Sequence, residues 1–357
     1  AAASRALAPS PPALFTEGAS LAAEEAVRFL PAAIGSAIPR VPDPAMRRGL
    51  ERAAAGAVRG LRGYAEFLRG TLMPRSTGEF RLGSGALHHL LRTEHRIALD
   101  LADLVQIGER TYHDTLRRVR ALAAEILPGG NWSRLLDELK EDHPDDEALV
   151  AAYERAVAEA RAFVAANGLV TFPAKEELRV LPAPEFARTR LAPATYLGCG
   201  HFAGGGRGAF LVTPAGPAEP PHRRCLSLRT HSRYAIAVRA AQEAYPGRHL
   251  QYALLPGCGR KLRLLCANTL LAEGWTLYCG ELLVEAGYAP DPRVRFLQAR
   301  EQLHCACRVL VDVGLHTGKL SWNDAVGFLV RKAKLERTHA VREVRICAER
   351  PSWALSG

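Results

Sequence analysis

The densest set of chemically capable side chains lies in the string Gln242-Glu243-Ala244-Tyr245-Pro246-Gly247-Arg248-His249-Leu250-Gln251. Glu273-Gly274-Trp275-Thr276-Leu277-Tyr278 follows, and then Arg308 and Asp312-Val313-Gly314-Leu315-His316. Carboxylates and imidazoles in this order are parts of a metal-dependent hydrolase. Such an enzyme carries two ligands and a general-base Glu on one helix and takes a third, carboxylate ligand from a later helix. In His-Glu-x-x-His the ligands stand four apart, because that spacing stacks them on one helix face. Here Glu243 and His249 flank a Pro-Gly break, and Glu273 comes 24 positions after His249. The layout suits a metal site, but the ligand set does not.

Each group also has an ordinary structural role open to it. Glu243 is either a general base or a solvated Glu beside a helix kink. His249 is either a ligand or a hydrogen-bonded His just past that kink. Glu273 sits in a strongly apolar helix, where an unpaired carboxylate is costly, so it needs a metal, Arg248 or Arg308 as partner. Asp312 and His316 stand four apart on one helix face. They form either an Asp–His pair that supports the site or a helix-end pair before Gly318. Trp275 and Tyr278 read as core packing.

Helices must position these groups. Residues 232–245 are amphipathic, break at Pro246-Gly247 because proline lacks an N–H and resists a straight helix, and resume over 248–255. Residues 262–283 and 294–316 read as two long helices. Ser321 with Asp324 forms a capping-box start for a helix through Val330, and 342–348 form a short last one. Upstream, Leu101, Leu104, Val105, Leu116, Val119, Leu122 and Ile126 make one helical stripe that stops at Pro128-Gly129-Gly130. Leu149, Tyr153, Val157, Ala160 and Val164 make another, closed by Asn167-Gly168 as a left-handed cap would close it. Between the helical blocks, 178–181, 194–197 and 208–212 are β-type runs separated by Pro and Gly. The expected fold is mainly α, one large helical domain with a small β insertion. It has a scaffold over 1–168, short strands edging a cleft over 169–221, and the motif-bearing helices over 222–357.

The 357 residues are 48% hydrophobic, enough for a large core, yet no apolar run reaches the ~18 residues of a membrane span. Net charge is +10, from 47 Lys and Arg against 37 Asp and Glu. The excess is spread along helices, as at Arg110, Arg117, Arg118 and Arg120 with Glu109 and Asp114 among them. A basic stripe interleaved with aromatics is missing, which argues against a nucleic-acid partner; a membrane partner is not expected either. The eight Cys contain no Cys-x-x-Cys pair, so a cysteine zinc knuckle is not expected. Cys266, Cys279, Cys305 and Cys307 fall in helical apolar patterns, where free thiols pack as small hydrophobes. The chain opens Ala1-Ala2-Ala3 with no basic segment ahead of an apolar core. That is the start of a cytoplasmic protein, or of a secreted or periplasmic one whose signal peptide has been removed.

The motif string resembles the bacterial domain of unknown function 885 family, whose pattern reads His-Glu-Ala-x-Pro-Gly-His-His-Leu-Gln. That family continues with Glu-Gly-Trp-x-Leu-Tyr and Asp-x-Gly-Leu-His, and both stand here in order. Phe80-Arg81-Leu82-Gly83, Val180-Leu181-Pro182-Ala183-Pro184 and Glu343-Val344-Arg345 are weaker echoes. The resemblance implies a fold like the gluzincin-type zinc metallopeptidases, with Glu243 as general base and His249 and Glu273 as residual ligands. Arg248, Arg308, Asp312 and His316 would be supporting or substrate-binding residues. The departures are as informative. The family's first His is Gln242 and the first of its paired His is Arg248. An amide oxygen is a poor match for zinc, and an arginine, always protonated, cannot ligate. A Glu that often follows the family's Glu-Gly-Trp segment is Gly280 here, and its usual Arg-Tyr after Glu-Val-Arg is Ile346-Cys347.

Two expectations follow. One is an impaired zinc-dependent hydrolase of short peptides. The other is a catalytically dead pseudo-peptidase that binds a short peptide or a carboxylate-bearing small molecule, with little or no zinc. In that second case the Arg248 fork gives the cleft a preference for a carboxylate or an acidic peptide end, and without a metal a Glu273–Arg248 ion pair is a simple replacement for the lost Glu–zinc contact.

Overall fold

The computed structural model describes residues 10–356 except 185, 186, 189, 190, 199, 201–205, 217, 218, 261, 263 and 265–267. The chain divides into two compact units, one formed by Ala1–Arg81 with Pro184–Thr189 and the other by Leu82–Ala183 with Arg190–Gly357. The sequence divisions at 168 and 221 therefore fall inside the second unit and not at its edge.

The described part of the first unit is built on helices α1 (Ala13–Ala37) and α2 (Pro44–Phe67), packed on each other. Asp43 accepts from the Ala45 N–H at 2.8 Å, and Pro44 takes the first helical position, where its missing N–H costs nothing. None of the expected site residues lies here.

The second unit holds α3 (Gly83–Thr93), α4 (Leu101–Ile126), α5 (Trp132–Glu141) and α6 (Leu149–Ala166). Strands β1 (Glu177–Pro182), β2 (Ala194–Gly198) and β3 (Arg207–Val212) follow. The remaining helices are α7 (Pro221–Leu228), α8 (Arg233–Arg239), α9 (Arg248–Leu254), α10 (Thr269–Glu285), α11 (Pro292–His316), α12 (Trp322–Lys332) and α13 (Arg337–Glu349). Among the described residues about 70% are helical, so the mainly-α expectation holds. None of the described helices is long and apolar enough to cross a membrane.

The three β-type runs pair into one sheet of order β1-β3-β2. β1 runs parallel to β3 with Glu177 opposite Arg207, and β2 runs antiparallel with Ala194 opposite Val212. The stripe Leu149, Tyr153, Val157, Ala160 and Val164 of α6 is buried as its spacing requires. It packs in one cluster with Phe210 and Val212 of β3 and with Ala240, Ala244 and Leu250 of the motif string. Each fully buried side chain of this kind contributes about 1.5–3 kcal/mol. The scaffold helix and the sheet together thus fix where the motif can sit. Gly168 closes α6 at φ +60°, the left-handed cap that its position predicts.

Three boundaries differ from the spacing-based reading. The stretch 232–245 is not one helix: α8 stops at Arg239 and a five-residue π turn, Ala240–Ala244, follows. The wider turn is what lets the chain reach the Pro-Gly break. The single helix expected over 262–283 is interrupted: Leu262 and Leu264 are helical, but α10 starts afresh at Thr269, where the Asn268 side chain caps it by accepting from the Leu271 N–H at 3.2 Å. The expected helix over 262–268 and Cys266 lie partly or wholly outside the described residues. Helix α13 begins five residues earlier than its apolar pattern indicates.

Candidate functional site

The break at Pro246-Gly247 sets the local geometry. The Tyr245–Pro246 peptide is cis. A Cβ at Gly247 would run into the Gln242 carbonyl, so only glycine allows the chain to fold back this closely. The Trp275 indole N–H fastens the turn to α10 by donating to the Pro246 carbonyl at 3.1 Å. Trp275 is half-buried, but Tyr278 is 55% exposed. The core-packing expectation for Tyr278 is corrected here: its side of α10 faces solvent, and Trp275 covers its ring from one side at 5.8 Å.

Arg248 leaves this turn between two carboxylates. Its Nη1 and Nη2 donate to the two oxygens of Glu273 at 3.0 and 2.6 Å, a forked pairing, and its Nε donates to Glu243 Oε2 at 3.0 Å. Glu243 Oε2 also accepts from the Tyr196 backbone N–H of β2 at 3.0 Å. Burial opposes charge on Arg248, but Glu243 and Glu273 outweigh it and hold its pKa above the ordinary value. Of the three partners open to Glu273, the structure has Arg248.

His249 faces elsewhere. It is fully buried, with Nε2 2.8 Å from Glu176 Oε2 and Nδ1 3.4 Å from the Tyr196 hydroxyl. Burial pulls its pKa down, with Glu176 opposing. An ionised carboxylate can only accept, so neutral His249 donates from Nε2. Glu176 also accepts from the Tyr245 hydroxyl at 2.6 Å and from Arg161 at 2.8–2.9 Å. Burial would raise its carboxyl, but Tyr245, His249 and Arg161 together hold it below the ordinary range. Sequence spacing missed Glu176, which lies 73 residues before His249.

A zinc ion does not fit these residues. Arg248, a fixed cation, holds Glu243 Oε2 and both Glu273 oxygens, both His249 nitrogens are engaged, and position 242 offers an amide in place of an imidazole. Among the described residues no group of three or more His, Cys, Asp or Glu side chains gathers as a metal site. Gly280 is not a vacant ligand position either. A Cβ there would meet Gln298 Oε1 at 2.5 Å, so Gln298 fills the space of the family's Glu.

Asp312 and His316 are fully buried and away from Arg248's cluster. His316 pairs its Nε2 with the Cys347 carbonyl at 3.0 Å and accepts at Nδ1 from the Leu82 N–H at 3.4 Å. Asp312 accepts from the Ser352 and Ala354 N–H groups at 3.3 and 3.2 Å, and its Oδ1 lies 3.6 Å from His316 Nε2. Burial pushes its carboxyl up to about 7, against the pull of those two amides. The pair holds the chain's last turns in place.

A cavity of about 330 Å³ opens beside the motif, and Gln242, Glu243, Glu273 and Arg308 line it. Arg308 lies over the Trp353 ring at 4.3 Å, with Nε 3.3 Å from Glu343. Glu343 also stands 3.3 Å from His339 and 3.9 Å from both His304 and Arg342. Burial would raise the Glu343 carboxyl, but His339, His304 and Arg308 hold it far below the ordinary range. The spacing signal for this second cluster was present but unused: His339 and Glu343 stand four apart, as Asp312 and His316 do.

A structure described as a "putative lipoprotein of unknown function" from Shewanella oneidensis matches with TM-score 0.76 at 18% identity, over 100% of this chain and 67% of that one. A "putative lipoprotein" from Colwellia psychrerythraea matches with TM-score 0.78 at 17% identity, over 97% and 62%. The chain thus spans about two thirds of the length of these solved relatives, and the likeness shows a shared fold. No curated protein matches. The family described as "Bacterial protein of unknown function (DUF885)" matches residues 1–356, so the chain belongs to the domain of unknown function 885 family.

Proposed function

We propose that this chain is a pseudo-peptidase: a metallopeptidase-like scaffold whose metal centre is replaced by an internal ion pair and whose cleft is kept for binding. The observation that carries this reading is Arg248, forked onto Glu273 and bonded to Glu243. The carboxylates that a zinc hydrolase would use as ligand and general base are both held by one side chain of the protein itself, which balances one of their two charges. The ligand is a short peptide or a carboxylate-bearing small molecule, taken up in the cavity beside the pair. Arg248 spends its fork on Glu273 and its Nε–H on Glu243, so three of its five N–H donors are already used within the chain. The names of the solved relatives favour an exported protein over a cytoplasmic one, and we place the chain in the bacterial envelope on that basis.

Metal analysis after dialysis, a peptide-hydrolysis panel and calorimetric titration with short peptides test the reading together. The expected result is no stoichiometric zinc, no cleavage, and saturable binding that is lost when the peptide's terminal carboxylate is amidated. Retained zinc with cleavage of short peptides would instead establish an active metallopeptidase.

A further inference from the structure

The cavity's second cluster has more cationic groups than its carboxylates can satisfy. Seven Lys and Arg side chains, Arg239, Arg300, Arg308 and Arg342 among them, line the cavity against five Glu, a surplus of two positive charges. Arg239 is partly occupied, donating to the Thr230 carbonyl at 2.6 Å. Arg308 and Arg342 are only partly occupied: Arg308 Nε stands 3.3 Å from Glu343 without making a hydrogen bond and its Nη2 has no partner, while Arg342 donates from Nη1 to the Leu191 carbonyl at 3.4 Å and leaves its buried Nε unbonded. The same is true of His304 Nε2 and Gln242 Nε2, whose side chains line the same cavity. Buried donors without acceptors are destabilising by about 1–3 kcal/mol each, more when charged. Several such donors on side chains that line one cavity mark a place where an external acceptor belongs. Glu243 and Glu273 do not supply it, because Arg248 holds both.

We infer that this wall binds a small dicarboxylate, with Arg308 and Arg342 as its recognition groups and Gln242 and His304 as supporting donors. Two negative charges match the surplus of two. A guanidinium fork fits a carboxylate's two oxygens. The remaining lining includes Val238, Leu277, Leu297 and Ile346, which suits methylenes between two carboxylates better than a compact phosphate. The inference rests on the binding reading above and narrows it from carboxylates in general to a dianion.

Calorimetric titration of the full chain with glutarate, butyrate and inorganic phosphate tests it. Glutarate should bind at least 10-fold more tightly than butyrate, and phosphate more weakly than glutarate. Arg342→Gln should weaken glutarate binding at least 10-fold while its thermal melt stays cooperative. Arg308→Lys, which keeps the charge but loses the fork, serves as the second variant and should weaken glutarate without changing butyrate equally. Equal affinity for butyrate and glutarate would overturn the dianion inference and leave the carboxylate-binding reading standing. Tighter phosphate binding would overturn the inference as well. Failure of every carboxylate and every short peptide to bind would sink both.

Discussion

Two charged clusters border one cavity, and they differ in how far their hydrogen bonds are spent. Around Arg248, one cation meets two carboxylates, and its Nε and both terminal nitrogens donate within 3.0 Å. Around Glu343, the contacts to Arg308, His339, His304 and Arg342 are 3.3–3.9 Å long, and several nitrogens have no partner. The region that looks like an active site in sequence is closed upon itself. The region that carried no catalytic signature is the one with unused binding capacity. The motif marks residues that resemble a metal site; the unspent donors mark where we propose that a ligand is held.

Removing an anion from the unspent cluster should have the largest effect on stability. Glu343→Ala strips the carboxylate that stands 3.3 Å from both Arg308 and His339, and loss of one partner of a buried charge group costs about 3–5 kcal/mol. Denaturant melts read this directly; a loss below about 1 kcal/mol would show that the cluster is solvated and the contrast between the two regions false.

Next comes the spent cluster. Arg248→Met leaves Glu243 and Glu273 facing each other without a cation and should destabilise by about 1–3 kcal/mol. Adding Glu243→Gln and Glu273→Gln removes the charges left behind, so the triple variant should recover most of that loss. Failure to recover would mean that Arg248 contributes by packing alone.

A pH-dependent effect belongs to Asp312, one helical turn beyond Arg308, whose charge pulls against the burial of its carboxyl. Its pKa in the folded state is raised to about 7 from an unfolded 3.8. The native state therefore holds a proton that the unfolded state has lost, and stability falls as pH rises from about 4 to about 7. Below that window both states are protonated and the full contribution is present. Asp312→Asn should flatten this segment of the stability profile, which in the wild type slopes at up to about 1.4 kcal/mol per pH unit. Urea melts at intervals across the window measure it; parallel profiles for the two proteins would refute the burial account.

Much of this was readable from local pattern. The α6 stripe, the three strands, the Ser321–Asp324 capping box and the Arg248–Glu273 pair all follow from spacing, propensity or the cost of an unpaired carboxylate. What escaped depends on partners distant in sequence. Glu176 reaches His249 through the placement of β1 beside α6, and nothing within a few residues of either signals the other. Glu343 gathers its neighbours from α11 and α13, so its charge balance exists only once those helices pack. The start of α10 was misjudged for a simpler reason, since apolar periodicity continued upstream of the Asn268 cap.

The central claim is that Arg248, with Gln242, stands where a metal centre would need ligands. A zinc titration of the wild type beside the Gln242→His/Arg248→His double variant tests it most directly. The prediction is no stoichiometric zinc in the wild type and, in the double variant, affinity at least roughly 100-fold higher, with melting temperature rising as zinc is added. One equivalent of tightly held zinc in the wild type, or no gain in the double variant, would contradict the account.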